Sequence, residues 1–138
     1  MRIELWEPRV DAGDPAAFNA VIAADGTVEV QQVEYQIERR YRFRVTRADV
    51  AKLAEQLGAA IASVAPAASV APAVLAVRIV LVGDEGASRE LAATDGQETA
   101  AFTRAHQAVR ALVDPRPRKV VPHVSRGPYA KRLSAPFP

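Results

Sequence analysis

The residues best equipped for chemistry in this chain are cations. Arg39, Arg40, Arg42, Arg44 and Arg47 place five guanidinium groups within nine residues, with Tyr41 and Phe43 interleaved. Guanidinium groups beside rings suit two jobs: gripping phosphate while bases stack on the rings, or meeting carboxylates of a protein. Parity separates the two. In a strand, alternate side chains point to opposite faces, so Tyr41 and Phe43 point away from Arg40, Arg42 and Arg44. If the rings face a core, the outer face has charge and no stacking platform. The reading we adopt is a solvated arginine face balanced by Glu34 and Glu38.

A second set of bases ends the chain. All acids lie at or before Asp114, so residues 1–114 carry a formal charge of −4 and residues 115–138 carry +6, from Arg116, Arg118, Lys119, Arg126, Lys131 and Arg132. Six of the ten prolines share that tail. Proline lacks the N–H that helices and central strands need, so the tail gains order only by contact. Val120, Val121, Val124, Tyr129, Leu133 and Phe137 are spaced among the bases. That mixture suits an extended segment laying apolar side chains into a groove, on a partner or on its own acidic body, while its bases meet acids.

Catalytic chemistry is scarce. The histidines are His106 and His123, there is no cysteine, and no nucleophile elbow, phosphate loop or metal-ligand spacing occurs. Asp84 and Glu85 sit in a turn flanked by Gly83 and Gly86, where adjacent acids serve turn geometry and solubility more readily than a metal. His106 sits beside an apolar helix face, as a packed, hydrogen-bonded side chain would. We expect no catalytic residue, metal or cofactor.

The elements that position these residues follow from periodicity. Arg2–Trp6 is a short strand stopped by Pro8. Phe18–Ala23 and Thr27–Val30 flank Asp25-Gly26 as a hairpin. Val33, Tyr35, Ile37, Tyr41, Phe43 and Val45 share one parity and predict a single long strand, with a bulge or turn between Val30 and Val33. Thr46 caps a helix over 47–64 whose buried stripe is Val50, Leu53, Leu57, Ile61 and Val64. Residues 65–75, rich in Ala and Pro, form a linker within the domain. Val77–Val82 and Ser88–Ala93 pair across Gly83–Gly86. Asp95 and Glu98 predict a capping box for a second helix bearing Phe102, Ala105, Val109, Leu112 and Val113.

The fold class expected is α+β: a mostly antiparallel sheet with two helices packed on one face, two ββα-like units in series, and an extended basic Pro-rich tail. Residues 1–114 form the domain and 115–138 the tail. The 22 uncharged residues from Gln56 to Val77 approach bilayer length, but Pro66, Pro72 and an alanine-dominated composition argue against a span. The first residues lack a signal-like apolar run, so the expected setting is cytoplasmic. The expected function is a non-catalytic protein-binding module or assembly subunit, with contacts from Arg40, Arg42, Arg44, Arg116, Arg118, Lys119, Arg126, Tyr129, Lys131, Arg132 and Phe137. Nucleic-acid binding by the same bases is the alternative.

Overall fold

The Asp25-Gly26 dipeptide turns the chain as its chemistry dictates. Gly26 has φ 97° and donates its N–H to the Ala23 carbonyl at 3.0 Å, while the Asp25 carboxylate accepts the Thr27 N–H at 2.9 Å. A Cβ on Gly26 would lie 2.1 Å from the Val45 carbonyl oxygen, so only glycine fits. This turn belongs to a computed structural model that describes residues 1–11, 14–64, 76–94 and 98–127. Four antiparallel strands open the chain: β1 (Arg2–Asp11), β2 (Asp14–Ala23), β3 (Thr27–Glu34) and β4 (Ile37–Arg44).

The single long strand expected over Val33–Val45 is in fact the β3–β4 hairpin. Tyr35 (φ 51°) and Gln36 (φ 63°) both take the left-handed conformation, as a two-residue turn matched to strand twist requires. The turn shifts parity by one residue: Val33 stands opposite Glu38, not on the face of Tyr41 and Phe43. Neither a bulge nor a turn lies at Val30–Val33: β3 runs unbroken there, with Val28 and Val30 facing one side of the sheet and Val33 the other. Nor does Pro8 end β1. The next strand, β5 (Ala76–Val82), pairs with β1 only over Arg2–Trp6, so Pro8 lies beyond that partner, where a missing N–H is tolerated.

Helix α1 (Arg47–Ser63) begins as expected, with Thr46 Oγ1 accepting the Asp49 N–H at 3.1 Å. The strand β6 (Ser88–Thr94) pairs with β5, and helix α2 (Ala100–Val113) follows. Its cap is Thr99, whose hydroxyl accepts the Phe102 N–H at 3.0 Å, and not the Asp95–Glu98 box. Threonine nearer the apolar run wins because its hydroxyl reaches the first-turn donors directly. Asp95 and the 65–75 linker lie outside the described residues.

Beyond α2 comes a 3-10 turn, Arg116–Arg118, and a short strand, β7 (His123–Arg126). Thus part of the proline-rich stretch does enter the sheet, at the edge where proline's neighbours are accepted. Among the described residues, seven strands are ordered β6-β5-β1-β2-β3-β4-β7, all antiparallel. Both helices cover one face. Val50, Leu53 and Leu57 from α1 and Phe102, Ala105, Val109 and Val113 from α2 pack on Ile3, Leu5, Phe18, Ile22, Val28, Val30, Ile79 and Leu91. The fold is α+β, with the order four strands, helix, two strands, helix, edge strand.

Candidate partner-binding surface

The register of β4 decides where the arginines go. Tyr41 opposes Val30 and Phe43 opposes Val28, both core residues, so the rings face the helices. Arg40, Arg42 and Arg44 therefore stand on the opposite, open face. There Arg40 sits in a row that crosses five strands: Trp6, Asn19, Gln31, Arg40 and His123 are consecutive partners, with Arg78 of β5 beside Trp6. The Arg78 guanidinium lies 5.5 Å from the Trp6 ring centroid, a cation-π contact.

Among the described residues, Asn19, Gln31 and Glu38 are buried polar side chains on this face. They satisfy one another in sequence. The Glu7 N–H donates to Asn19 Oδ1 at 3.2 Å, Asn19 Nδ2 to Gln31 Oε1 at 3.2 Å, and Gln31 Nε2 to Glu38 Oε2 at 2.7 Å. Arg40 Nε completes the line on Glu38 Oε1 at 3.0 Å. A buried carboxylate survives only when paired and hydrogen-bonded, and Glu38 is both. Glu38 and Arg40 each hold a further interaction besides these. So the face is not wholly the solvated surface read from the sequence. Its wet part is Arg42, three-quarters exposed with Nε 3.8 Å from Glu29 Oε1, and exposed Arg44. His123, Arg40, Arg42, Tyr41 and Glu29 line a shallow depression of about 230 Å³.

The bases after α2 go elsewhere. Arg116 forks onto Asp114, with Nε 3.0 and 3.1 Å and Nη2 2.8 Å from its carboxylate oxygens. These hydrogen bonds hold the Asp114 carboxyl down at about 2. Arg118 Nη1 donates to the Asp114 carbonyl at 2.7 Å and its guanidinium lies 4.7 Å from the Phe43 ring centroid. Lys119 takes a left-handed conformation at φ 53° and turns the chain toward β7. Arg126 opposes Ile37 and shares the side of Tyr41 and Phe43. The sheet therefore separates Arg118 and Arg126 from Arg40, Arg42 and Arg44. Tyr129, Lys131, Arg132 and Phe137 lie outside the described residues.

His106 pairs with Glu7 and tilts against Phe102 at 5.6 Å between ring centroids. Arg110 Nε lies 3.7 Å from the same Glu7 oxygen and its guanidinium 3.7 Å from the Phe18 ring centroid. This cluster ties α2 to β1, as expected of a packed histidine, though nothing in the local pattern points to Glu7 as its partner. Sequence reasoning also missed the Asn19–Gln31–Glu38 line. The available signal was Asn19 itself, a single amide inside the apolar run Phe18–Ile22.

No protein-family model, curated protein or solved structure matches the chain. Among the described residues, no helix is long and apolar enough to cross a membrane, and no group of three or more His, Asp and Glu could hold a metal ion.

Proposed function

We propose that the protein is a non-catalytic protein-binding module or assembly subunit that meets its partner along the β4–β7 edge of the sheet, in a cytoplasmic setting. The observation that carries this reading is the apolar exposure at that edge. Val121 is 88% exposed and Val124 51%, beside the cations Lys119 and Arg126. Such an edge suits a protein that offers apolar contacts rimmed by carboxylates, with the bases governing encounter and the valines residence.

Nucleic-acid binding is the second reading, favoured by the exposure of Arg42 and Arg44 on one face. Three features weigh against it. Arg40 is engaged by Glu38, Arg116 by Asp114, and both rings of β4 lie on the far side of the sheet from Arg42.

The test is covalent capture with the full chain, followed by direct binding of the purified partner to Val121→Ser/Val124→Ser. The expected loss is about tenfold or more, equivalent to about 1.4 kcal/mol. A partner bound equally well by the variant would overturn the edge as the site.

A further inference from the structure

The two outer strands of the sheet, β6 and β7, are built differently. β7 is four residues long, follows Pro122 and carries Arg126, the short, proline-flanked and charged design that keeps a free edge from pairing with other chains. β6 is longer and plainer. Its seven residues, Ser88-Arg89-Glu90-Leu91-Ala92-Ala93-Thr94, run in unbroken register with β5 and include no proline or lysine. Arg89 is drawn back over α1, where a Cβ on Gly58 would lie 3.6 Å from its Nη2, so that charge does not screen the edge. Ser88, Arg89 and Glu90 are exposed, and among the described residues no strand pairs with the outer side of β6.

The ladder shows which backbone groups of β6 are left over. The Gly83 N–H donates to the Ala87 carbonyl at 2.8 Å, so Gly83 and Ala87 form a hydrogen-bonded pair. Such pairs alternate with non-hydrogen-bonded ones along an antiparallel ladder. Counted on through the register, Arg89, Leu91 and Ala93 direct their N–H and C=O groups to Leu81, Ile79 and Val77. Ser88, Glu90, Ala92 and Thr94 therefore direct theirs away from β5, and Glu90 is the one charged residue among them. Unpaired groups in so regular a row are a template for another strand.

We propose that a second copy of this chain pairs with that row, β6 against β6, about a two-fold axis perpendicular to the sheet. Such a contact must be self-complementary, and the side chains decide its register. Centred on Leu91, Glu90 meets Ala92 of the second copy, Ser88 meets Thr94 and Arg89 meets Ala93, so no like charges oppose each other and the hydroxyl residues stand within hydrogen-bonding reach. Centred on Glu90, two carboxylates would oppose each other, and centred on Arg89, two guanidinium groups. Centred on Ala92, Ser88 loses its counterpart. Only the Leu91 register uses all seven residues without a like-charge pair, and it exchanges about eight N–H···O bonds. The axis keeps both helix layers on one side of a single continuous sheet. This edge lies at the opposite end of the sheet from Val121 and Val124, so either contact can fail alone.

The test is sedimentation of the full chain over a range of concentrations, and a dimer that dissociates on dilution is expected. Glu90→Pro removes one outward N–H and none of those bonded to β5, so it should keep a cooperative melt and dimerise at least about tenfold more weakly. Val121→Ser/Val124→Ser should dimerise as the parent does. Because the chain has no cysteine, oxidation reads the register. Ser88→Cys mixed with Thr94→Cys should cross-link, since the two positions oppose each other about 5.5 Å apart between Cα atoms. Neither variant should cross-link alone, because like positions then stand roughly 20 Å apart. The cross-link decides even where Glu90→Pro fails to fold. A chain that stays monomeric up to about 1 mM would overturn the proposal. So would a dimer unchanged by Glu90→Pro, a dimer lost in Val121→Ser/Val124→Ser, or a mixture that does not cross-link.

Discussion

Replacing Gly26 by alanine should cost far more than replacing Gly86, although both are turn glycines with positive φ, 97° and 83°. At Gly86 nothing lies within 4 Å of the added Cβ, so the cost is conformational. A left-handed backbone costs a residue with a Cβ about 1–3 kcal/mol, offset by about 0.4–1 kcal/mol from the stiffer unfolded chain. At Gly26 the same terms apply, and the Cβ also meets the Val45 carbonyl oxygen at 2.1 Å. That atom is backbone and cannot rotate away. Relief requires the start of α1 to move, which strains the Val45 N–H to Gly26 carbonyl bond of 2.9 Å and the adjacent Thr46 cap. Losing one hydrogen bond and weakening one cap adds about 1–3 kcal/mol. Urea titration of both variants gives the comparison. Gly26→Ala should be the less stable by about 1–3 kcal/mol, and a difference below about 0.5 kcal/mol would refute the close packing of the turn on Val45.

Other expectations follow from the same structure. Leu57→Ala, at a fully buried site in α1, should lower stability by roughly 2–5 kcal/mol in urea; a loss under about 0.5 kcal/mol would mean that α1 does not face the core. Tyr35→Asn with Gln36→Gly supplies the residues that a two-residue turn prefers and should stabilise by roughly 0.5–2 kcal/mol, measured by thermal melting, whereas a continuous strand would be weakened. Asp114 has its folded value lowered from 3.8 to about 2, so its stabilisation is present above 3.8 and is lost as pH falls toward about 2. Melts of Asp114→Asn across that window should therefore be flatter with pH than those of the parent, and an identical pH profile would show that the Arg116 fork adds nothing.

Much of the fold was legible because its signals are local. Thr46 with Asp49, the Val50–Leu53–Leu57 stripe and Asp25-Gly26 each act within a few residues, and each stands where the sequence placed it. The β3–β4 turn was hidden because Tyr35 and Gln36 are not the residues that left-handed turns favour. An unbroken alternation of apolar side chains across them then mimicked one strand. Reading through that turn put Val33 on the wrong face and left Glu38 looking like a solvated acid. Partner residues far apart in sequence were illegible for a different reason. Glu7 and His106 meet only because α2 packs on β1, and Asn19, Gln31 and Glu38 meet only in the registers of three strands.

Whether the ligand is a protein or a polyanion is decided by titrating a mixed-sequence oligonucleotide into the full chain at several salt concentrations. The variant of choice is Arg42→Ala/Arg44→Ala, since removing Arg40 would strand the buried Glu38 carboxylate. No measurable binding at physiological salt, and no difference between parent and variant, is expected. Micromolar or tighter affinity that falls linearly with the logarithm of salt, and that disappears in the variant, would contradict it.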